Sequence, residues 1–198
     1  MTGPTDDDVR PPDELRANEF LLRPIRVSDA ELDYEAVMES RQSLRLWEQS
    51  SWPEDDFTVE ANRGDLRLLE RRHAASESFT YTVMDLTETR CLGCVYIFPT
   101  DARQFAKYQV TPVGDAHWSR FEVGVYFWVR ESRLADGLDS RLLGALEPWF
   151  RSQWQIEHFL VVTNEQCEQQ VAMIERAGLR LRFELRSPDE AATSLAYG

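Results

Sequence analysis

A chain of 198 residues with 42% hydrophobic and 29% charged content fits one globular domain, long enough to bury a real core. Its formal net charge of -13 argues against general nucleic-acid binding, which needs a basic surface, and is compatible with a cationic substrate such as an amine. No apolar run approaches the roughly 20 residues of a membrane helix, and the acidic, Pro-rich opening "MTGPTDDDVRPPDEL" has no apolar signal region, so a cytoplasmic protein without membrane contact is expected.

Residues 1–18 read as a mobile acidic tail, rich in Asp and Pro. "EFLLRPIRV" is the first strand. "SDAELDYEAVMES" is a helix opened by Ser28 or Asp29, with Glu31 at capping-box spacing from Ser28. "RQSLRLWEQ" starts a second short helix, and Pro53 breaks the loop "SSWPEDDF". "TVEANRGDLRLLERRHAA" is a helix capped by Thr58, with Leu66 and Leu69 inward. "FTYTVMDL" and "RCLGCVYIF" form a hairpin across the polar turn "TETR".

Residues 99–119 make a long connection whose Phe105, Tyr108, Val110 and Trp118 fold back onto the body. "RFEVGVYFWV" is a long apolar strand. A loop around Gly137 leads into the helix "LDSRLLGALEPWF", which Pro148 should kink or shorten. "EHFLVVT" is a buried strand, and "NEQCEQQVAMIERAG" a helix stopped by Gly178. "LRLRFELR" is an alternating strand, and residues 187–198 read as a second tail. The order of elements predicts an α/β or α+β domain over residues 19–186, built on a mixed central sheet.

Cys91, Cys94 and Cys167 are odd in number, so no disulfide framework is expected. "CLGC" lies in a strand, where residues three apart point to opposite faces, so buried thiols rather than a metal site are expected.

Three patterns, in this order and spacing, resemble the Gcn5-related N-acetyltransferase superfamily over about residues 19–186. "FEVGVYFWV" is similar to its fourth strand, "RLADGLDSRLLGAL" to its pyrophosphate loop and helix, and "QVAMIERAGLRLRFEL" to its closing helix and strand. The resemblance implies a mixed sheet with a splayed central strand pair and flanking helices. It also implies acetyl-CoA in the splay as cosubstrate, no metal, and transfer of an acyl group to a primary amine, either a small molecule or a protein N-terminus. A catalytically weak binding module on the same fold is the alternative, and homodimerisation is left open.

By this resemblance Trp128, Val129 and Arg130 face the pantetheine, while Leu134, Ala135, Asp136, Gly137, Leu138 and Asp139 face the pyrophosphate. Of the family's loop pattern only Gly137 matches: Leu134 stands where Gln or Arg is usual, and Asp139 where a small residue is usual. A carboxylate about 4 Å from a phosphate charge opposes it by roughly 4 kcal/mol at an effective dielectric of about 20. Arg130, Arg133 and Arg141 flank the loop and could offset Asp136 and Asp139. Glu122, at the start of the strand, is the candidate general base, with an edge salt bridge as the competing role. No Tyr occurs from Asn164 to Gly178, so Cys167 or a water would protonate the leaving thiolate, and Asn164 could replace the family's helix Asn. The acceptor loop supplies Trp47, Glu48 and Trp52, aromatics and a carboxylate suited to an amine.

Overall fold

The computed structural model describes residues 11–198. Nine strands form one sheet in the order β1-β2-β3-β4-β6-β7-β9-β8-β5. They are β1 Leu15–Arg16, β2 Phe20–Pro24, β3 Phe79–Asp85, β4 Cys91–Pro99, β5 Gln109–Pro112, β6 Val123–Val129, β7 Phe159–Asn164, β8 Leu181–Arg186 and β9 Ser194–Tyr197. Among these pairs only β6 and β7 run parallel. The helices are α1 Ala30–Glu39, α2 Arg41–Glu48, α3 Val59–Ala74, α4 Leu138–Trp149 and α5 Glu168–Arg176. No helix of the described residues is long and apolar enough to cross a membrane.

Alternation in the strands sends side chains to two faces, and each face is covered by helices. Leu22, Val83, Val95, Val125 and Phe127 pack against Leu138, Leu142, Leu146, Trp149 and Ile174 from α4 and α5. On the opposite face Leu21, Met84 and Trp128 meet Ala36, Val37, Leu44 and Leu66 from α1, α2 and α3. Pro148 lies inside α4, which passes directly into a π-helical turn over Phe150–Trp154. The connection after β4 does fold back: Phe105 and Trp118 pack on Phe183 and Leu160, and part of it forms β5 along β8.

Residues 187–198 are not a tail, because Ser194–Tyr197 insert as β9 between β7 and β8 and bond to both. Leu15–Arg16 of the supposed N-terminal tail pair with β2, while residues 1–10 lie outside the described residues. Asp29 stands at the N-cap position of α1, as expected, but its side chain makes no cap bond to the helix. Its carboxylate instead takes two hydrogen bonds, of 2.7 and 2.9 Å, from the buried Arg23 guanidinium, which needs a counter-charge more than the helix needs a cap.

Cys91 and Cys94 do not point to opposite faces. Val83 pairs with Gly93 and Met84 with Cys91, so Leu92 is an extra residue, a β-bulge that breaks the alternation. Both thiols then reach Asp33 Oδ1, at 3.7 and 3.8 Å, in the layer beneath α1.

Candidate functional site

β6 and β7 pair only at Val123, Gly124 and Val125, opposite Phe159, Leu160 and Val161. Beyond Val125 the two strands part. A cavity of about 340 Å³ opens at the gap, bounded by the end of β6 (Phe127, Trp128, Val129), by Leu44 and Trp47 of α2, and by the start of α5. Among the described residues no Lys or Arg lines it, whereas Asp139 and Glu168 do. Arg130 N–H bonds to Leu92 O in β4, so Arg130 faces the paired side of β6. Alternation then turns the N–H and C=O of Phe127 and Val129 toward the gap. The Phe127 carbonyl is already used: it accepts from Gln170 Nε2 at 2.9 Å, while Gln170 Oε1 accepts from Thr163 Oγ1 at 2.6 Å. One carboxamide from α5 thus bridges the parted strands.

The loop from Arg130 to Gly137 is tied down by its own surroundings. Glu131 to Arg133 form a single 3-10 turn, and Gly137, at φ 72°, provides the left-handed residue from which α4 starts. Arg130 Nε donates to Glu39 at 2.6 Å and its Nη1 to Cys91 O. The amides of Glu131 and Ser132 donate to Ser40 Oγ and Glu39 Oε1. Arg133 pairs with Asp136 and with Glu19, at 3.0 Å each, and Arg141 also pairs with Glu19. Glu19 and Glu39 are held below the usual carboxylate range, Glu19 chiefly by its bond from Arg141 and Glu39 by Ser132 and Arg130 working against its burial. Three arginines therefore stand against five carboxylates: Glu19, Glu39, Glu131, Asp136 and Asp139.

A second cavity, of about 360 Å³, lies on the other side of Trp47, which lines both. Its polar wall is Glu48, Lys107, Tyr108, Tyr126, Asn164 and Glu190. Glu190 accepts from Lys107 Nζ at 2.7 Å and from the Tyr108 hydroxyl at 2.6 Å. Glu48 is an exposed residue at the end of α2 and lines this cavity. Desolvation raises its pKa; Lys107 opposes this and Glu190 adds to it. Burial and the Glu190 carboxylate push the Tyr108 phenol up to about 12. The Tyr126 hydroxyl and Trp47 Nε1 are buried without a hydrogen-bond partner. Asn164 donates to the carbonyls of Leu46 and Trp47 at 2.9 and 3.0 Å, which fixes the end of α2 between the cavities.

Parted parallel strands, a loop and helix N-terminus at the open end, and a closing helix and strand match solved structures over nearly the whole chain. The ribosomal-protein-S5-alanine acetyltransferase from Vibrio fischeri superposes with a TM-score of 0.67 at 16% identity, covering 93% of this chain and 94% of that one. The microcin C7 self-immunity acetyltransferase MccE, in complex with acetyl-CoA and AMP, gives 0.69 at 12% identity over 96% and 97%. Mycobacterium smegmatis RimJ, in complex with CoA-disulfide, gives 0.67 at 16% over 90% and 80%. The chain has the fold of the Gcn5-related N-acetyltransferases. No family model and no curated relative matches the sequence.

Within that fold, only some of the residues expected at the site meet there. Trp128, Val129, Leu134, Asp139 and Cys167 line the first cavity. Trp47, Glu48 and Asn164 line the second. Arg130, Arg133, Ala135, Asp136, Gly137 and Leu138 line neither; Arg130 is buried against Glu39, and Arg133 is held by Asp136 and Glu19. Trp52 also lines neither, and stacks edge-on against Phe57. Glu122 is not at the gap. Its carboxylate accepts from the amides of His158 and Glu157, at 2.8 and 3.5 Å, tying β6 to the entry of β7 at the end away from the cavity.

The acyl-CoA expected from the resemblance fits in one part and not in another. The free edge of β6 suits an amide-bearing arm, whereas the loop does not suit a diphosphate. Its arginines are paired, two of its amides are taken by side chains, and Asp139 sits at the N-terminus of α4 where the anion would lie. Glu190, Lys107, Glu39 and Gln170 were not singled out in the sequence. Lys107 carried one signal, being the only lysine and lying in a long connection.

Proposed function

We propose that this protein is an N-acyltransferase that moves an acyl group from a thioester in the first cavity to a primary amine in the second. The observation that carries this reading is the pair of cavities meeting at Trp47 where β6 and β7 part, the second of them holding the carboxylates Glu48 and Glu190. Two carboxylates beside aromatic rings suit a cation, and an amine is a cation at neutral pH. Acetyl-CoA is the donor that the fold relatives suggest, since MccE is seen with it and RimJ with a CoA disulfide. A small amine and a protein N-terminus both suit the acceptor side. Free thiols at Cys91, Cys94 and Cys167 suit a reducing, cytoplasmic compartment.

The chemistry requires the ammonium to lose a proton before its nitrogen attacks the carbonyl. Glu48 takes that role in place of Glu122: it faces the acceptor cavity, and its raised proton affinity brings it nearer to working pH. The gap-facing N–H of Val129 would polarise the carbonyl oxygen. Cys167 faces the donor cavity, and burial keeps its thiol protonated, so it can return a proton to the departing sulfur.

The test is acetyl transfer from a thioester donor to a panel of amines and peptides, read as product mass. Glu48→Gln should lower kcat by about 100- to 10,000-fold with an unchanged melting temperature. A binding module without turnover is the second reading, favoured by the paired loop arginines and the lack of a Tyr on α5. It predicts ligand binding with no product from any acceptor, and that result would replace the first reading.

A further inference from the structure

We propose that the donor site selects an uncharged acyl-pantetheine type of thioester and gains nothing from the nucleotide diphosphate that acyl-CoA would add. This inference rests on the acyltransferase reading above and deepens it.

Two independent sets of contacts support it. At the inner end the gap is built for amides. Gln170 holds its carboxamide there, donating to Phe127 O and accepting from Thr163, which is the bonding an amide ligand would make. The Phe127 N–H, the Val129 N–H and the Val129 C=O remain turned to the gap for a chain that carries amides in series. The surrounding wall is apolar, from Leu44, Trp47 and Leu134.

At the outer end the arginines that would greet an anion are already paired, and the nearest unpaired charge is negative. Arg130 is held by Glu39, Arg133 by Asp136 and Glu19, and Arg141 by Glu19. Glu39, which ends α1, and Ser40, which follows it, occupy the amides of Ser132 and Glu131, two donors just ahead of the segment from Leu134 to Asp139. Asp139 then places a negative charge on the first turn of α4, at the cavity mouth. A diphosphate there would have to break two ion-pair groups and still face uncompensated carboxylates.

Calorimetry on the full chain with S-acetylpantetheine, acetyl-CoA and adenosine 3',5'-bisphosphate tests this. S-acetylpantetheine should bind as well as acetyl-CoA, within about 3-fold, and the bisphosphate should not compete with either. The double variant Asp136→Lys, Asp139→Ala should tighten acetyl-CoA by about 10-fold or more while leaving S-acetylpantetheine within about 3-fold of wild type. Wild-type preference for acetyl-CoA of about 10-fold or more, shrinking as salt rises, would overturn the inference and leave the acyltransferase reading standing. Binding of neither thioester would overturn both.

Discussion

The Glu122 carboxylate accepts from two backbone amides at the start of β7, while Glu48 faces a cavity beside Glu190. Both are glutamates at the end of an element, and their type and spacing do not distinguish them; the neighbours do. Glu122→Ala should therefore leave transfer unchanged and lower stability by about 1 kcal/mol, the worth of a solvent-exposed hydrogen bond. Melting temperature and turnover measured in parallel check it.

A third carboxylate, Asp33, is buried between Asn62, Cys91 and Cys94. Desolvation raises its pKa to about 6 from 3.8, against the pull of its hydrogen bonds. The folded state thus holds the proton more tightly than the unfolded state. The contribution is fully present below pH 3.8 and is lost as pH rises through about 6, a fall of about 3 kcal/mol. Asp33→Asn should flatten urea-unfolding midpoints between pH 4 and 7; an unaltered slope would show that Asp33 does not titrate in that window.

Among the elements, the strands and helices that bury one face are visible as periodic apolar patterns, and β2, β3, β4, β6, β7, β8 and all five helices lie where those patterns fall. The bulge at Leu92, next to Gly93, is not visible, because nothing in "CLGC" marks which residue is extra. Gly93 has φ 152°, and a Cβ there would come within 2.1 Å of the Trp128 carbonyl oxygen. Gly93→Ala should therefore cost roughly 3 kcal/mol or more, since backbone strain and steric crowding each contribute about 1–3 kcal/mol. The same change would shift β6 beside the gap, so weakened donor binding should accompany the lower melting temperature, with calorimetry reading the first and thermal unfolding the second.

For the molecule as a whole, the sheet depends on a strand that the sequence hides. "TSLAY" is short, follows Pro and Gly-free polar residues, and carries no long apolar run, so it reads as a tail. Its status comes from its neighbours: β7, paired with β6, and β8, paired with β5, each have one edge without a partner until β9 enters between them. The acceptor cavity is hidden for a related reason. Glu190 meets Lys107 and Tyr108 across 83 and 82 residues, a distance that no local pattern spans. A chain ended after Ser187 should lose both β9 and Glu190, leaving two strand edges open. Loss of cooperative unfolding on that truncation checks the claim, and a cooperative transition of wild-type midpoint would refute it.

Insertion of β9 also sets an order of events during synthesis. Residues 194–197 leave the ribosome after every other strand of the sheet has been made, yet they occupy a position between strands made earlier. Strands β1, β2, β3, β4, β6 and β7 can assemble while the chain is still growing, whereas β5 and β8, paired with each other, must wait for β9 to join them to the rest. Until residues 194–197 have been made, the growing chain carries two open strand edges, one on β7 and one on β8, available to other chains.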